Sequence, residues 1–281
     1  MKKSIITFFT IIILIGCATV PITGRKQLSL IPNSQLLPLS YTSYQDVLKG
    51  SKLSNNQNQV AMVKTVGVKI QYAVEKFMAD NNMSDELKGY NWEFNLIEDD
   101  QVNAWCMPGG KVAFYTGIMP VCKDEAGVAV VMGHEIAHAV ANHGGERMSQ
   151  GLMQQLGGVA LAVAIKDKPE ETQALFFNAY AIGTTYGALL PYSRVHESEG
   201  DKLGLIFMAM AGYDPHEAPK FWERMDAMAG SPPIPEWMST HPSHETRIEN
   251  LNAYLPEAMK YYNPTGTSTI KAPKVKFMKV N

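Results

Sequence analysis

Apolar residues return at intervals of three and four over residues 56–82, which predicts an amphipathic helix. The positions that set this period are Val60, Val63, Val66, Ile70, Val74 and Phe77. Residues 92–97 alternate between apolar and polar side chains, and this period of two predicts a half-buried strand. Residues 103–117 predict two more short strands, because Pro108-Gly109-Gly110 interrupts them with the residue types of a tight turn.

A second series of helical patterns fills the rest of the chain. Asp124 and Glu125 supply an N-cap and a first-turn acid for a helix that is predicted to continue to about residue 147. Three later helices are predicted over residues 194–211, 215–229 and 243–262. Many helices and a few short strands predict an α+β fold that is predominantly helical.

Two stretches between these helices carry no charge, residues 148–165 and 172–193. A hairpin that dips into a membrane would have to place their glutamine, asparagine and threonine side chains in lipid, which is costly. We therefore expect both stretches to be buried in the protein or to line a groove.

The N-terminus has the pattern of an export signal. Two lysines precede an apolar stretch over residues 5–15, which is too short to cross a bilayer as a helix of about 20 residues. The tetrapeptide Leu-Ile-Gly-Cys that ends at Cys17 resembles the bacterial lipobox, in which the cysteine carries the lipid. Ala18 stands where an aspartate would favour inner-membrane retention, so we expect a lipoprotein of the bacterial envelope at the outer membrane, facing the periplasm. The alternative is a plain signal peptide, or an uncleaved anchor, with a cysteine there by chance.

This pattern divides the chain into four segments. We predict a lipoprotein signal peptide over residues 1–16, a lipidated tether and lead-in over 17–50, one folded domain over 51–263, and a basic tail over 264–281. The tail contains four lysines and no acid, a weak patch that fits a solvated end as well as contact with anionic lipid.

The composition limits the class of protein and leaves the pairing of the cysteines to be explained. The chain has 281 residues, 46% of them apolar, which is enough for a core of ordinary size. Its 25 basic and 27 acidic residues leave no basic excess, so we expect no nucleic-acid partner. Three cysteines are too few for a disulfide scaffold. With Cys17 lipidated, Cys106 and Cys122 could form a disulfide, or could be two buried thiols.

The decisive motif is H-E-x-x-H at residues 134–138, inside the helix predicted to begin near residue 124. Because a helix turns by about 100° per residue, His134 and His138 lie about 40° apart and one turn along, so both can bind one metal ion. Glu135 borders the same face of an apolar helix, where an unpaired charge would be costly. The bland alternative is two core histidines with a hydrogen-bonded glutamate.

A catalytic zinc needs a third protein ligand and an open position. His143 is one position off the extended motif and lies about 140° around the predicted helix from His138, so it is a poor candidate. Glu197 and Asp201 lie one turn apart on a later helix, where the glutamate can bind zinc and the aspartate can accept a ligand histidine's N–H. An ordinary charged helix face would give the same spacing. Two neighbours on that helix are weaker candidates, His196 and Glu199.

Together these residues resemble the gluzincin peptidases of family M48, which includes the CAAX prenyl proteases, the HtpX membrane proteases and the mitochondrial Oma-type protease. The shared positions after H-E-x-x-H are Ser193, Arg194, Glu197, Asp201, Thr240, His241, Pro242 and Arg247. Bacterial periplasmic lipoprotein metalloproteases are most similar, because they share the motif Pro21-Ile22-Thr23-Gly24-Arg25-Lys26-Gln27-Leu28. The matching motifs run from residue 17 to about residue 250.

The resemblance implies a zincin-like fold with a small β-sheet beside the H-E-x-x-H helix. It implies one Zn²⁺ per chain, held by His134, His138 and Glu197, with Asp201 behind the ligands. Gly200 stands where the family usually has alanine, a change expected to loosen the helix.

The resemblance also implies that His241 and Arg247 line the active site as catalytic residues. Either could steady the oxyanion or the substrate backbone, and His241 could approach the metal in a resting state. Glu135 is expected to take a proton from water and deliver it to the leaving amine. The strand near residues 111–116 is expected to hold an extended peptide by edge pairing.

The expected function is that of a membrane-tethered zinc metalloendopeptidase which cleaves misfolded or unassembled envelope proteins, with envelope assembly machinery as a possible partner. Two alternatives stay open. One is a chaperone-like or binding lipoprotein whose protease activity is latent. The other is a different zinc hydrolase, such as an aminopeptidase.

Overall fold

The computed structural model describes residues 17–20, 23–185, 189–229, 237–238, 241 and 246–264. The helices are α1 (Asn33–Gly50), α2 (Gln57–Asp80), α3 (Met119–Cys122), α4 (Glu125–Val140), α5 (His143–Ile165), α6 (Glu170–Thr184), α7 (Leu190–Met210), α8 (Glu217–Ala229) and α9 (Arg247–Ala258). The strands are β1 (Cys17–Thr19), β2 (Lys26–Leu28), β3 (Glu93–Ile97), β4 (Ala104–Met107) and β5 (Lys111–Tyr115). The prediction of a predominantly helical α+β fold is confirmed.

Some predictions fall outside the described residues. These are the signal peptide over 1–16, the motif positions Pro21, Ile22, Thr240 and Pro242, the first residues of the predicted last helix (243–245), and the tail beyond Pro264. Within the predicted tether and lead-in, the structure has the β1–β2 hairpin followed by the 18-residue helix α1.

A three-stranded sheet lies next to the H-E-x-x-H helix, with strand order β3-β5-β4. β3 is parallel to β5, and β4 is antiparallel to β5 with Ala104 opposite Phe114. Gly109 and Gly110 have φ of 88° and 78°, a region that favours glycine, and they make the turn between β4 and β5. The predicted strands and their turn are therefore confirmed.

Helix α4 forms the centre of the core. Every residue over 127–140 is buried, because apolar side chains surround this helix on all sides. It packs against α7, α2 and β4. The contact with α7 is close at Gly133, where an added Cβ would lie 2.9 Å from the carbonyl oxygen of Gly204. This close approach brings the polar groups of α4 and α7 to one place.

Two predicted helix limits need correction. The helix from Asp124 does not continue to residue 147 but ends at Val140, because Asn142 has a left-handed φ of 57° and a new helix begins at His143. The Asp124 cap itself is confirmed, since its side chain accepts from the Gly127 backbone N–H. The helix expected from residue 215 begins at Glu217.

Most residues of the uncharged stretches in α5 and α6 are not buried, contrary to the first half of the expectation. The second half, that they line a groove, holds for Met153, Gln154 and Tyr180, which line a cavity of about 210 Å³ between the two helices. The two helices contact each other, and their polar groups bond between them, as Tyr180 Oη does to the Gln154 carbonyl at 2.8 Å. Their outer faces stay open, so many large apolar side chains are exposed: Met148, Leu152, Leu156, Val159, Val163, Leu175, Phe176, Phe177 and Ile182. Among the described residues, no helix is both long enough and apolar enough to cross a membrane.

Candidate metal centre

Helices α4 and α7 supply the centre of the site. His134 and His138 lie one turn apart on α4, and both are buried. Their Nε2 atoms are 3.0 Å apart. Glu197 on α7 faces them, with carboxylate oxygens 3.4 Å from His134 Nε2 and 3.6 Å from His138 Nε2. The predicted ligand set is therefore brought together.

A fourth donor joins this set. His241 Nδ1 lies 3.1 Å from His134 Nε2 and 3.0 Å from Glu197 Oε2. One ligand atom from each of His134, His138, Glu197 and His241 lies within 4.8 Å of the others, and all four residues are buried. We call these residues the four-donor cluster.

The four-donor cluster fits a zinc ion chemically. Imidazole nitrogens and a carboxylate oxygen are ligands that Zn²⁺ takes in proteins. Glu197 Oε1 is buried without a hydrogen-bond partner, since its neighbours His138 Nε2 and Arg147 Nη2 are both 3.6 Å away. An orphaned carboxylate oxygen is expensive inside a protein, and a cation at the centre of the cluster would satisfy it.

Two of the three predicted ligands have pKa shifts that favour metal binding, and the third has one that opposes it. Burial would raise the pKa of Glu197, but the neighbouring histidines hold it well below the usual value. Burial lowers the pKa of His138 well below its usual value, although Glu197 opposes this. Burial would also lower the pKa of His134, but Asp201 and Glu197 raise it to about 9. Metal binding therefore has to displace a proton from His134 below about pH 9.

Asp201 and Arg247 lie behind the ligands. Asp201 Oδ1 is 3.1 Å from His134 Nδ1, the geometry of a carboxylate that orients a ligand histidine. Arg247 donates to Asp201 Oδ1 at 2.6 Å and to Glu197 Oε2 at 3.3 Å, and its guanidinium lies 3.5 Å from the centre of the Trp222 ring. Asp201 therefore lies behind the ligands as expected, and Arg247 lies against the ligand Glu197. A catalytic role of Arg247 stays a prediction.

Glu135 lies beside the four-donor cluster and is buried. Its Oε1 accepts a hydrogen bond of 2.7 Å from the Trp237 indole N–H and is 3.3 Å from His241 Nε2. The indole fixes the direction of a carboxylate that would otherwise rotate. Trp237 has no sequence spacing that marks it as part of the site, so motif analysis missed it.

A cleft of about 260 Å³ opens onto this site. One wall carries Glu135, His138 and His241, and the other is β4 with residues 103–106. β4 is an edge strand, whereas β5 is the central strand of the sheet. The expectation that the strand near residues 111–116 offers its edge to a peptide is therefore wrong, because both edges of β5 are already paired, one with β3 and the other with β4.

His143 is not part of the four-donor cluster, in agreement with the prediction, but the continuous helix on which that prediction was based does not exist. Because α4 ends at Val140 and Asn142 turns the chain, His143 returns to the site, with its Nδ1 2.8 Å from His138 Nδ1. The αL-tolerant asparagine after the H-E-x-x-H helix is the one sequence signal that could have shown this break.

The other residues near the predicted ligands have different roles. Glu199 accepts from His143, and His196 faces Glu146, so neither belongs to the four-donor cluster. α7 continues through Gly200 to Met210 without a break, and a looser helix at this position stays a prediction. An added Cβ there would lie 2.8 Å from His138 Nε2, so the position is one of close contact.

Cys106 and Cys122 do not form the possible disulfide, and both are free thiols. Cys106 lies on β4 and lines the cleft, while Cys122 ends α3 inside the core. The two thiols therefore have separate surroundings. The backbone of Cys17 begins β1, and its lipidation stays a prediction.

Comparison with known proteins decides the family. The model of "Peptidase family M48" matches residues 67–255, a span that contains α4, α7 and the start of α9. The chain belongs to peptidase family M48. This confirms the predicted zinc metallopeptidase family and its zinc cofactor.

The relatives include mitochondrial and bacterial proteins. Mitochondrial metalloendopeptidase OMA1 of Schizosaccharomyces pombe is 33% identical over 241 residues, covering 85% of this chain and 66% of the relative. Metalloendopeptidase OMA1, mitochondrial, of Homo sapiens is 32% identical over 248 residues, covering 85% and 46%. The beta-barrel assembly-enhancing protease of Escherichia coli is 30% identical over 165 residues, covering 56% and 33%.

This M48 chain spans between about a third and two thirds of the length of those relatives. The matches to the two mitochondrial proteins extend over more of it than the match to the bacterial one. The narrower prediction, a bacterial periplasmic lipoprotein, therefore stays a prediction.

Proposed function

We propose that this chain is a membrane-tethered zinc-dependent endopeptidase that cleaves misfolded or unassembled proteins of the bacterial envelope. The observation that carries the proposal is the four-donor cluster with Glu135 beside it, at the base of a cleft whose far wall is the edge strand β4. A metal, a general base and an unpaired strand edge are the parts that hydrolysis of an extended polypeptide needs.

The chemistry is divided among a few groups. His134, His138 and Glu197 would hold the zinc ion, which when bound would supply polarisation of the scissile carbonyl and a lowered pKa for water. Glu135 takes a proton from the attacking water and delivers it to the leaving amine. The Trp237 indole N–H holds the carboxylate of Glu135 in the direction that this transfer requires.

The shape of the cleft favours a long substrate. The edge of β4 offers backbone N–H and C=O groups to which an extended peptide can add as a strand, so affinity would come mainly from main-chain bonds. A second cavity of about 350 Å³ shares Pro108 and Ala139 with the cleft and continues the groove beyond the end of β4. A groove that extends past the metal suits internal cleavage better than removal of a terminal residue.

His241 closes the site in this conformation. Four protein donors are typical of structural zinc, whereas a catalytic zinc keeps an open position. His241 must therefore withdraw before substrate can bind. This arrangement supports a protease with a latent resting state, which is part of the rival proposal of a chaperone-like lipoprotein.

The proposed location and substrates rest on the N-terminal sequence and on a relative. The lipobox-like segment that ends at Cys17 supports lipid attachment, and similarity to the Escherichia coli beta-barrel assembly-enhancing protease supports a role beside β-barrel assembly. Unfolded chains suit the edge of β4, because they offer free main-chain groups.

The test is digestion of a single protein in its unfolded and native forms by the lipidated full chain. We expect internal cuts in the unfolded form, loss of cutting with a zinc chelator, and recovery when zinc is added. His241→Ala is expected to raise the rate, because the fourth donor occupies a position that substrate must take.

Four results would contradict the proposal. Release of single terminal residues would indicate an aminopeptidase. Equal cutting of the native form would reject the preference for unfolded protein. Prevention of aggregation without any fragments, unchanged in Glu135→Gln, would favour the chaperone-like function. A Cys17→Ala variant that still fractionates with membranes would reject the anchor.

A further inference from the structure

A series of buried polar groups connects the zinc ligand His138 to the β1–β2 hairpin, and the proposed mechanism does not use it. We call it the Arg25 network and define it by six residues: Thr23, Arg25, His143, Glu146, His196 and Glu199. Its two carboxylates, Glu146 and Glu199, are fully buried, and their nearest cation comes from more than 120 positions upstream.

The first step of the Arg25 network is a contact between two histidines. His138 faces the four-donor cluster through Nε2, so its Nδ1 points away from the metal. That Nδ1 lies 2.8 Å from His143 Nδ1. A histidine that binds metal through Nε2 carries its proton on Nδ1, so His138 donates and His143 accepts.

The second step fixes His143 from its other side. With Nδ1 as acceptor, the neutral ring carries its proton on Nε2 and donates to Glu199 Oε2 at 3.0 Å. This is the same carboxylate oxygen that accepts from Arg25 Nε at 3.0 Å. The other oxygen of Glu199 accepts from the Thr23 hydroxyl. The direction of every proton in the series is therefore consistent with zinc bound at His138.

The third step explains why Arg25 is needed. Its guanidinium donates to Glu146 at 2.7 and 3.0 Å while its Nε holds Glu199, so one side chain serves two buried carboxylates. His196 donates to the same Glu146 at 2.8 Å. Removing the partner of a buried charge costs several kcal/mol. Without Arg25, Glu199 would have to protonate or move, and His143 would lose its fixed partner.

Local backbone geometry brings both side chains to the network. Gly24 has φ of 71°, and its N–H bonds back to the Val20 carbonyl, so Thr23 and Arg25 flank a tight turn. This turn is the Thr23-Gly24-Arg25 part of the N-terminal motif that the chain shares with similar lipoprotein metalloproteases.

We propose that Thr23 and Arg25 are positioning residues of the zinc centre. They hold Glu199, which orients His143, which in turn holds the ring of the ligand His138. The N-terminal hairpin is then part of the metal site and not only a connection to the membrane. The proposal rests on the zinc centre and does not depend on which proteins are cleaved.

The test is zinc affinity of the full chain, measured by competition with a chromophoric chelator. Loss of groups behind metal ligands lowers affinity by about 10- to 100-fold. We expect a loss in this range for Arg25→Met and a smaller loss for Thr23→Val, which removes only the hydroxyl. Arg25→Lys should recover part of the affinity, because it keeps the charge but not the fork.

A spectrum and a matched control separate positioning from simple packing. Cobalt-substituted Arg25→Met and Thr23→Val should show altered ligand-field bands, since the His138 ring is no longer fixed. Lys26→Met removes a cation from the same hairpin, where Lys26 Nζ donates to Thr19 Oγ1 at the surface and has no other hydrogen bond within the described part of the chain. It should bind zinc like the unmodified chain, with the same cobalt spectrum.

Two results would overturn the proposal. One is Thr23→Val and Arg25→Met with zinc affinity within twofold of the unmodified chain and unchanged cobalt spectra. The other is an equal loss in Lys26→Met, which would show that the hairpin acts by packing alone. If Arg25→Met does not fold, Thr23→Val decides. Absence of proteolysis by the unmodified chain would reject the proposed function but not this proposal, since zinc binding is measured separately.

Discussion

Helix α4 and the hairpin of α5 and α6 are neighbouring regions with few charges, but α4 is buried and the hairpin is largely exposed. Helix α4 is buried over its whole length from residue 127 to 140, whereas α6 has no buried residue and α5 is buried mainly at its start. The difference lies in the pattern. α4 is apolar on all sides and fills the centre of a core, while the glutamines and threonines of α5 and α6 bond between these two helices and leave the apolar faces outward.

The comparison shows that a lack of charge does not predict burial. What buries α4 is a set of partners on every side, and what holds its polar groups there is a network of bonds to α7. The hairpin of α5 and α6 has only itself as a partner for most of its length. Variants in the two regions should therefore differ sharply.

The largest effect is expected from Phe207→Ala in α7. Phe207 is fully buried and meets Phe77 edge to face, with ring centres 5.4 Å apart. Truncating a buried phenylalanine costs about 3–5 kcal/mol of unfolding free energy. Urea unfolding measures this loss, and a value under 1 kcal/mol would show that the core is not packed as described.

Acid should weaken the point where α5 joins the core. Burial would raise the pKa of Glu146, but its bonds to His196 and Arg25 lower it to about 2. A lowered pKa stabilises the fold above the usual value near 4.5, and this contribution is lost as pH falls towards 2. We expect a loss of roughly 1–3 kcal/mol over this window.

Unfolding measured between pH 5 and 2 checks this against Glu146→Gln. Because the amide does not titrate, the variant should have lower stability at pH 5 and a smaller slope below it. Identical slopes in both proteins would contradict the role of Glu146.

A smaller effect is expected at the general base. Trp237→Phe keeps an aromatic ring but removes the N–H that holds Glu135 Oε1. Hydrogen bonds to charged groups contribute about 1.5–3 kcal/mol, so kcat should fall about tenfold or more while zinc binding is kept. Steady-state cleavage of an internally quenched peptide measures this, and an unchanged kcat would show that the indole does not orient the base.

The smallest effect is expected from Phe176→Ala in α6, the matched control for Phe207→Ala. Phe176 is 47% exposed, and surface substitutions usually change stability by about 0.5 kcal/mol or less. The same urea titration applies. A loss as large as that of Phe207→Ala would mean that the hairpin is covered by another part of the protein.

Sequence reasoning predicted the parts of the site that depend on local spacing. The H-E-x-x-H motif placed two imidazoles on one face of α4, and the spacing of Glu197 and Asp201 placed both carboxylates towards them. The β4–β5 turn followed from its two glycines. These predictions succeeded because each depends on the period of one element.

The sequence-based predictions failed where contacts between distant elements determine which residues reach the site. The break at Asn142 returns His143 to the site, and a central place in the sheet removes β5 as an edge for substrate. Trp237 and Arg25 reach the site from other parts of the chain, and no periodicity marks them. Burial of α5 and α6 was mispredicted because hydrophobicity does not specify a packing partner.

The most direct test of the central claim is Glu135→Gln, measured for zinc content and for cleavage of unfolded protein in the same sample. The amide keeps the shape of the side chain but cannot accept the proton from water. The account predicts one zinc per chain, as in the unmodified protein, and no detectable cleavage, while Glu75→Gln on the surface of α2 changes neither. Cleavage by Glu135→Gln at the unmodified rate would contradict the assignment of Glu135 as the base and the mechanism built on it.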